Sequence, residues 1–185
     1  DEIPIFLAAI GPNNTKLAGE IADGWIPTLF SPEHVAEFRP LLEEGAARSG
    51  RSLDHCRILP TVNPYTGDDV EEARNLTRRF IALYVGGMGS REKNFYNALV
   101  QRYGFEDEAK KVQDLYLEGK REEAMAALSD ELIDLVSLVG TKEKVRDKLQ
   151  VFREAGVHTL GVTPLAFDKE GRLQQLRLLA ELNAA

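Results

Sequence analysis

The chain has 185 residues, of which 43% are hydrophobic and 29% charged, and it carries a formal net charge of −7. That balance belongs to a folded globular domain and excludes disordered and fibrous chains; the longest apolar runs, such as Ile3–Ile10, fall far short of the ~20 residues a membrane span needs. Nucleic acid is excluded as a partner because its binding needs a basic face, whereas Arg78-Arg79, Lys110-Lys111 and Lys120-Arg121 are scattered among carboxylates.

A single cysteine, Cys56, rules out an internal disulfide and fits a reducing cytoplasm. The start, Asp1-Glu2-Ile3-Pro4, has neither a basic segment nor a cleavage site, so no signal peptide is expected. It also lacks an initiator Met and enters strand-like sequence at once, from which the expectation is that preceding chain is missing.

Pro4–Ile10 is an almost wholly apolar run closed by Gly11-Pro12, the pattern of a parallel strand buried on both faces. Asn13-Asn14-Thr15 offers cap chemistry, and Leu17, Ala18, Ile21 and Ala22 recur at helical spacing until Gly24. Trp25–Phe30 reads as a second strand. Ser31 before Pro32 opens a helix through Val35, Phe38, Leu41 and Leu42 to the breaker Ser49-Gly50. Cys56–Val62 is a third strand, ended by the turn cluster Asn63–Gly67. Val70, Ala73, Thr77, Phe80 and Tyr84 then form a helical stripe. From Gly86 to Val139 the pattern is helical with no strand, and Val145, Leu149 and Phe152 mark a helix stopped by Gly156. His158–Pro164 is the last strand, followed by a helix through Leu173, Leu176 and Ala180.

Strands alternating with helices imply a parallel sheet with right-handed crossovers. Four such strands fit a small doubly wound sheet or half of a (β/α)8 barrel, which typically needs about 250 residues. The abrupt start favours the half-barrel, and the expectation is one domain over residues 1–185 with a helical insertion at 86–139. Its end strands would present unpaired edges and an uncovered apolar face. The expected partners are therefore the missing N-terminal half of the barrel and a second copy of the chain.

The strongest local signal for chemistry is Ala8-Ala9-Ile10-Gly11-Pro12-Asn13. A strand that ends in small residues, a glycine turn and a helix N-terminus together point free N–H groups and the positive helix end at an anion. Small side chains let a planar ring approach the backbone, and Gly11 removes a Cβ from the turn. The alternative, a plain βα turn that needs glycine only for geometry, stays open on spacing alone. There is no GxGxxG fingerprint, so no nicotinamide site is expected.

Pro4–Pro12, followed by Ala22-Asp23-Gly24-Trp25 and Thr28, resembles the second half of the luciferase-like monooxygenase superfamily. Within it the chain is most similar to the coenzyme F420-dependent oxidoreductase branch. Tyr84–Gly89, Asn94-Phe95-Tyr96, Gly140-Thr141 and Ala155-Gly156-Val157 extend the resemblance along essentially the whole chain. The resemblance implies the C-terminal half of a (β/α)8 TIM barrel, strands five to eight, with a helical insertion before the last βα unit. It implies that Ala8, Ala9, Ile10, Gly11 and Pro12 lie against a deazaflavin ring edge and phosphate. Thr28 is where some members contact a cofactor or substrate phosphate; a local hydrogen bond is the other reading of that threonine. The implied activity is hydride transfer between F420 and an unidentified small organic substrate. An FMN-dependent monooxygenase of the same superfamily is the alternative, and a catalytically silent flavin-binding or interaction half-barrel is the reading from another class. Catalytic residues are expected on strands absent from this chain, so none is assigned.

The remaining candidates are structural by their spacing. His34, His55 and His158 have no metal-ligand spacing among them. Cys56 has no neighbouring base to activate it. Glu20 and Asp23 read as helix surface and cap. Gly86-Gly87-Met88-Gly89 offers either a lid hinge or a helix-breaking loop, and Phe95, Tyr96, Leu99 and Tyr103 have the spacing of helix packing.

Overall fold

The computed structural model describes residues 3–184; Asp1, Glu2 and Ala185, and the reading of the chain's start with them, lie outside the described residues. In chain order the elements are β1 (Phe6–Ala8), α1 (Pro12–Ile21), β2 (Gly24–Ile26), α2 (Val35–Arg48), β3 (Arg57–Ile58), β4 (Thr61–Val62), β5 (Pro64–Thr66) and α3 (Val70–Ala82). There follow a π-helical turn (Leu83–Gly87), α4 (Phe95–Arg102), α5 (Glu106–Leu117), α6 (Arg121–Ala126), α7 (Asp130–Val136), β6 (Leu138–Gly140), α8 (Lys142–Glu154), β7 (Gly161–Val162) and α9 (Lys169–Ala184). Two compact units result, one drawn from Asp1–Val62 and Asp147–Thr163, the other from Asn63–Arg146 and Pro164–Ala185.

The first unit holds a parallel sheet of order β1-β2-β3, with Phe6 opposite Gly24, Ala8 opposite Ile26, and Trp25 opposite Ile58. Helix α1 is capped by Gly11 and starts at Pro12, ahead of the Asn13-Asn14-Thr15 segment expected to cap it, because proline's fixed φ suits the first helical position. The core of this unit is aromatic. Trp25 meets Phe38 at 5.0 Å between ring centroids and Phe30 edge-on at 5.9 Å, while Phe30 lies 6.1 Å from Phe152. Strands β4 and β7 pair in parallel through Thr61–Gly161 and Val62–Val162.

In the second unit β5 pairs in parallel with β6, and Gln175 of α9 closes on Thr66, accepting from its N–H at 2.7 Å and donating to its carbonyl at 2.9 Å. Helix α3 buries Ala73, Thr77 and Ile81 and is capped by the Asp69 carboxylate, which accepts from Glu72 N–H at 2.9 Å. Asn94 donates to the carbonyls of Tyr84 (3.1 Å) and Val85 (2.9 Å). Asn97 donates to Val85 (3.0 Å) and Ala109 (2.7 Å), so these side chains satisfy carbonyls around the π-helical turn. Tyr116 lies flat on the same turn. A methyl group added to Gly86 or Gly87 would come within 2.5 Å of its side chain, so these glycines seat a ring, which argues against a hinge.

The expected half of a (β/α)8 barrel is corrected by this topology. The strands form three small open sheets, β1-β2-β3, β4-β7 and β5-β6, not successive strands of one closing sheet. Prolines give the reason: Pro27 follows β2, Pro60 separates β3 from β4, and Pro164 lies beyond β7, each without an N–H for a ladder. The apolar runs therefore pair over only two or three residues each. Strand β6 lies at the end of a stretch whose periodicity showed no strand. Strand β1, expected to be buried on both faces, is at an edge, and Ile3 (87%) and Ile5 (66%) beside it are exposed.

The expected partners are corrected as well. An absent barrel half and a second copy were to supply burial that the chain lacked. Instead Trp25, Phe30, Phe38, Leu42 and Leu149 are fully buried in one unit, and Ile81, Val85, Leu99, Val100, Leu132, Ile133 and Leu138 in the other. Among the described residues no helix is long and apolar enough to cross a membrane.

Candidate functional site

The turn after β1 assembles from backbone. Ala8 ends the strand exposed, Ala9 is buried, and Ile10 and Gly11 are half-buried before exposed Pro12. Gly11 caps α1 with φ −82° and ψ 149°, extended backbone that any residue adopts. Its lack of a side chain is therefore not demanded by the turn's conformation; glycine is itself a favoured helix cap, and it places no Cβ at the turn. No described side chain caps the helix, and its first turn holds no acidic residue. The first intrahelical bond runs from Thr15 N–H to Gly11 O at 2.9 Å, so the N–H groups of Asn13 and Asn14 precede it and have no helical partner. The Thr15 hydroxyl also donates to Gly11 O, at 2.9 Å. An unneutralised helix N-terminus of this kind suits an anion.

Three residues of β2 and its approach hold that turn in place. Asp23, read from sequence as a cap, accepts from Ile5 N–H through its carboxylate at 2.7 Å and donates its own N–H to Ile5 O at 2.8 Å. Gly24 lets β1 come close, since a methyl there would lie 2.1 Å from the Phe6 ring. Trp25, fully buried, donates its indole N–H to Ala9 O at 2.7 Å, and Ala9 N–H donates to Ile26 O at 3.2 Å.

The register of β1 against β2 brings Thr28 to the same carboxyl-end edge as Ile10, where open parallel sheets receive ligands. Its hydroxyl is 3.4 Å from that of Thr61, so a local hydrogen bond accounts for part of its environment. Leu29 beside it is buried with φ 52°, a left-handed conformation that is unfavourable for leucine. Sequence reasoning placed Ala8–Pro12 and Thr28 together, but missed Thr61 and the role of Trp25. The usable signal for the latter was chemical: an indole N–H buried in a strand needs an acceptor.

The other candidates fall elsewhere. Ser31 Oγ lies 2.8 Å from both Glu33 Oε2 and His34 Nδ1. Burial would raise the Glu33 carboxyl, but the Lys148 ammonium, 2.6 Å away, and the Ser31 hydroxyl hold it below the ordinary carboxylate range. His158 Nδ1 accepts from Ile58 N–H at 3.3 Å, and His55 bonds to Ser52 O. Cys56 is buried, and that burial pushes its thiol pKa up, away from a reactive thiolate. Phe80, Tyr84 and Tyr96 form a ring cluster, with centroids 4.4 Å and 4.7 Å apart. Burial, then the neighbouring Tyr84, raises the Tyr96 phenol.

A family model described as luciferase-like monooxygenase matches residues 1–159. The chain belongs to the luciferase-like monooxygenase family. This family member is 38% identical, over 98% of its own length and 51% of the relative's, to a Mycobacterium tuberculosis protein that bears the name coenzyme F420-dependent oxidoreductase. It is 30% identical to a 5,10-methylenetetrahydromethanopterin reductase of Methanopyrus kandleri, over 94% of this chain and 48% of that one. The solved structure of a coenzyme F420-dependent tetrahydromethanopterin reductase from Methanopyrus kandleri superposes with a TM-score of 0.76 at 27% identity, covering 94% of this chain and 49% of that one. The luciferase-like chain thus spans about half the length of the curated relatives it matches.

Proposed function

We propose that this chain carries the cofactor-binding turn of an F420-dependent oxidoreductase acting on a small organic molecule. The observation that carries the reading is the exposed Ala8 and side-chain-free Gly11 leading into an uncapped, acid-free helix start. The F420 named for the Mycobacterium tuberculosis relative and for the solved Methanopyrus kandleri reductase supports the choice of deazaflavin. Ala8 and Ala9 would let the flat ring edge approach the strand end. Ile10, Gly11 and Pro12, with the N–H groups of Asn13 and Asn14, would receive the phosphate, and the Thr28 hydroxyl would add a donor at the same edge. The bound deazaflavin supplies hydride chemistry at its C5; the protein's part is to hold it, orient it and keep water away. Residues 86–139 are proposed as an insertion of the same domain, helical as far as the start of β6. A cytoplasmic setting is proposed from the single cysteine.

Titration of the chain with F420 and with FMN, followed by fluorescence anisotropy, tests the reading. Saturable F420 binding that Gly11→Val weakens supports it. Tighter binding of FMN moves the cofactor to a flavin, and binding of neither overturns the site.

A further inference from the structure

We propose that Trp25 is the positioning residue of the Ala8–Pro12 turn: by holding the Ala9 carbonyl inward, it aims the Ile10 N–H outward as a donor to the bound cofactor. The proposal rests on the reading of that turn as the cofactor site. Its geometry is local and independent of the family. Trp25 is fully buried, and its indole N–H reaches Ala9 O at 2.7 Å. The ring lies in the aromatic core of its unit, with Phe38 at 5.0 Å and Phe30 edge-on at 5.9 Å, and the indole N–H, not this packing, is what reaches the turn.

The described chain has no cis peptide bond, so the Ala9 carbonyl and the Ile10 N–H share one trans plane and point in opposite directions. A carbonyl tied to the buried indole therefore sends the next N–H away from it. The preceding peptide is tied too, through Ala9 N–H to Ile26 O at 3.2 Å, so the Ala9–Ile10 plane can turn only by rotation at Ala9 ψ and Ile10 φ, which breaks the indole bond. A turn that binds through main-chain groups has no side chain to adjust. Its donor must already be aimed when the ligand arrives, and a pre-aimed donor costs no reorganisation on binding.

Trp25 is the only tryptophan in the chain, which allows its N–H to be removed without changing its shape. Global replacement of tryptophan by β-(3-benzothienyl)alanine puts sulfur in place of the N–H at this one position. Trp25→Phe makes the same deletion by mutation. Phe38→Leu loosens the ring's packing and leaves the N–H present. Each protein is titrated with F420 by anisotropy and melted in parallel, together with Gly11→Val. The expected result is roughly a tenfold or greater loss of F420 affinity in the benzothienyl protein, the size of one misdirected donor. Phe38→Leu is expected to melt earlier and bind as the unmodified chain does. Unchanged affinity in the benzothienyl protein, with Gly11→Val impaired, overturns the role of Trp25 alone. Equal losses of affinity in Phe38→Leu would reduce Trp25 to packing and overturn it too. Unchanged affinity in Gly11→Val would instead remove the turn itself as the site, and this proposal with it.

Discussion

Gly19 on α1 and Gly45 on α2 each face the backbone of the other helix. A methyl on Gly19 would lie 2.0 Å from Leu42 O, and one on Gly45 would lie 1.8 Å from Lys16 O. The two helices meet main chain to main chain, at a separation only hydrogen allows. Backbone carbonyls inside helices cannot move aside as a flexible side chain can. Either glycine changed to alanine is expected to destabilise the first unit by about 3 kcal/mol, at the upper end of overpacking costs. Urea unfolding of Gly19→Ala and Gly45→Ala checks this, and a loss below that of an exposed Gly50→Ala control would refute it.

Gly11→Val should separate binding from folding. The φ and ψ of Gly11, −82° and 149°, are extended and suit a β-branched residue, so no backbone strain follows from the change. The cost to α1 is that of a poorer cap, about 1 kcal/mol. F420 affinity should fall by about tenfold or more because a branched side chain stands where the ligand would approach. Anisotropy and thermal melting of the same sample measure both effects. A parallel collapse of stability would show that glycine serves the fold.

Asp134 should make the second unit sensitive to acid. Burial would raise its carboxyl, but Arg74 donates to both oxygens, at 3.2 Å and 2.7 Å, and Lys144 adds a third bond, so its pKa lies below the ordinary range. A lowered folded pKa contributes stability that is complete above the unfolded value of about 3.9 and is lost as pH falls through the folded one. Asp134→Asn should therefore cost about 1–2 kcal/mol near neutrality, since both partners are partly exposed. The gap from the unmodified chain should close below pH ~4. Melting temperatures across that range decide it; a gap that stays constant with pH would show that charge is not its source.

Asn97 should be the most costly polar residue to remove. Its carboxamide reaches Val85 O and Ala109 O at 3.0 Å and 2.7 Å while 3% exposed, and its oxygen accepts from Gln101 at 2.6 Å. Asn97→Leu keeps the branched skeleton but strands buried carbonyls, at a cost of about 2–4 kcal/mol. Retained stability in denaturant titration would mean that water or a rotated neighbour replaces it.

The helices were legible in the sequence because their signals are local. Apolar spacing marks α3, and the cap chemistry at Asn13-Asn14-Thr15 lies within about two residues of the Gly11 cap that opens α1. The same locality made the candidate turn visible: small residues, glycine and proline follow one another in the chain. Tertiary structure alone decided the rest. An apolar run shows that a strand is buried but not which strand it pairs with or for how long, and here prolines cut the ladders into three short open sheets. The pairing of β5 with β6 joins residues far apart in sequence, through a strand too short to show any period. The close contact at Gly19 and Gly45 and the indole bond from Trp25 to Ala9 likewise depend on how helices and strands pack. Periodicity reports the face a residue presents. Only packing determines which backbone atom meets it.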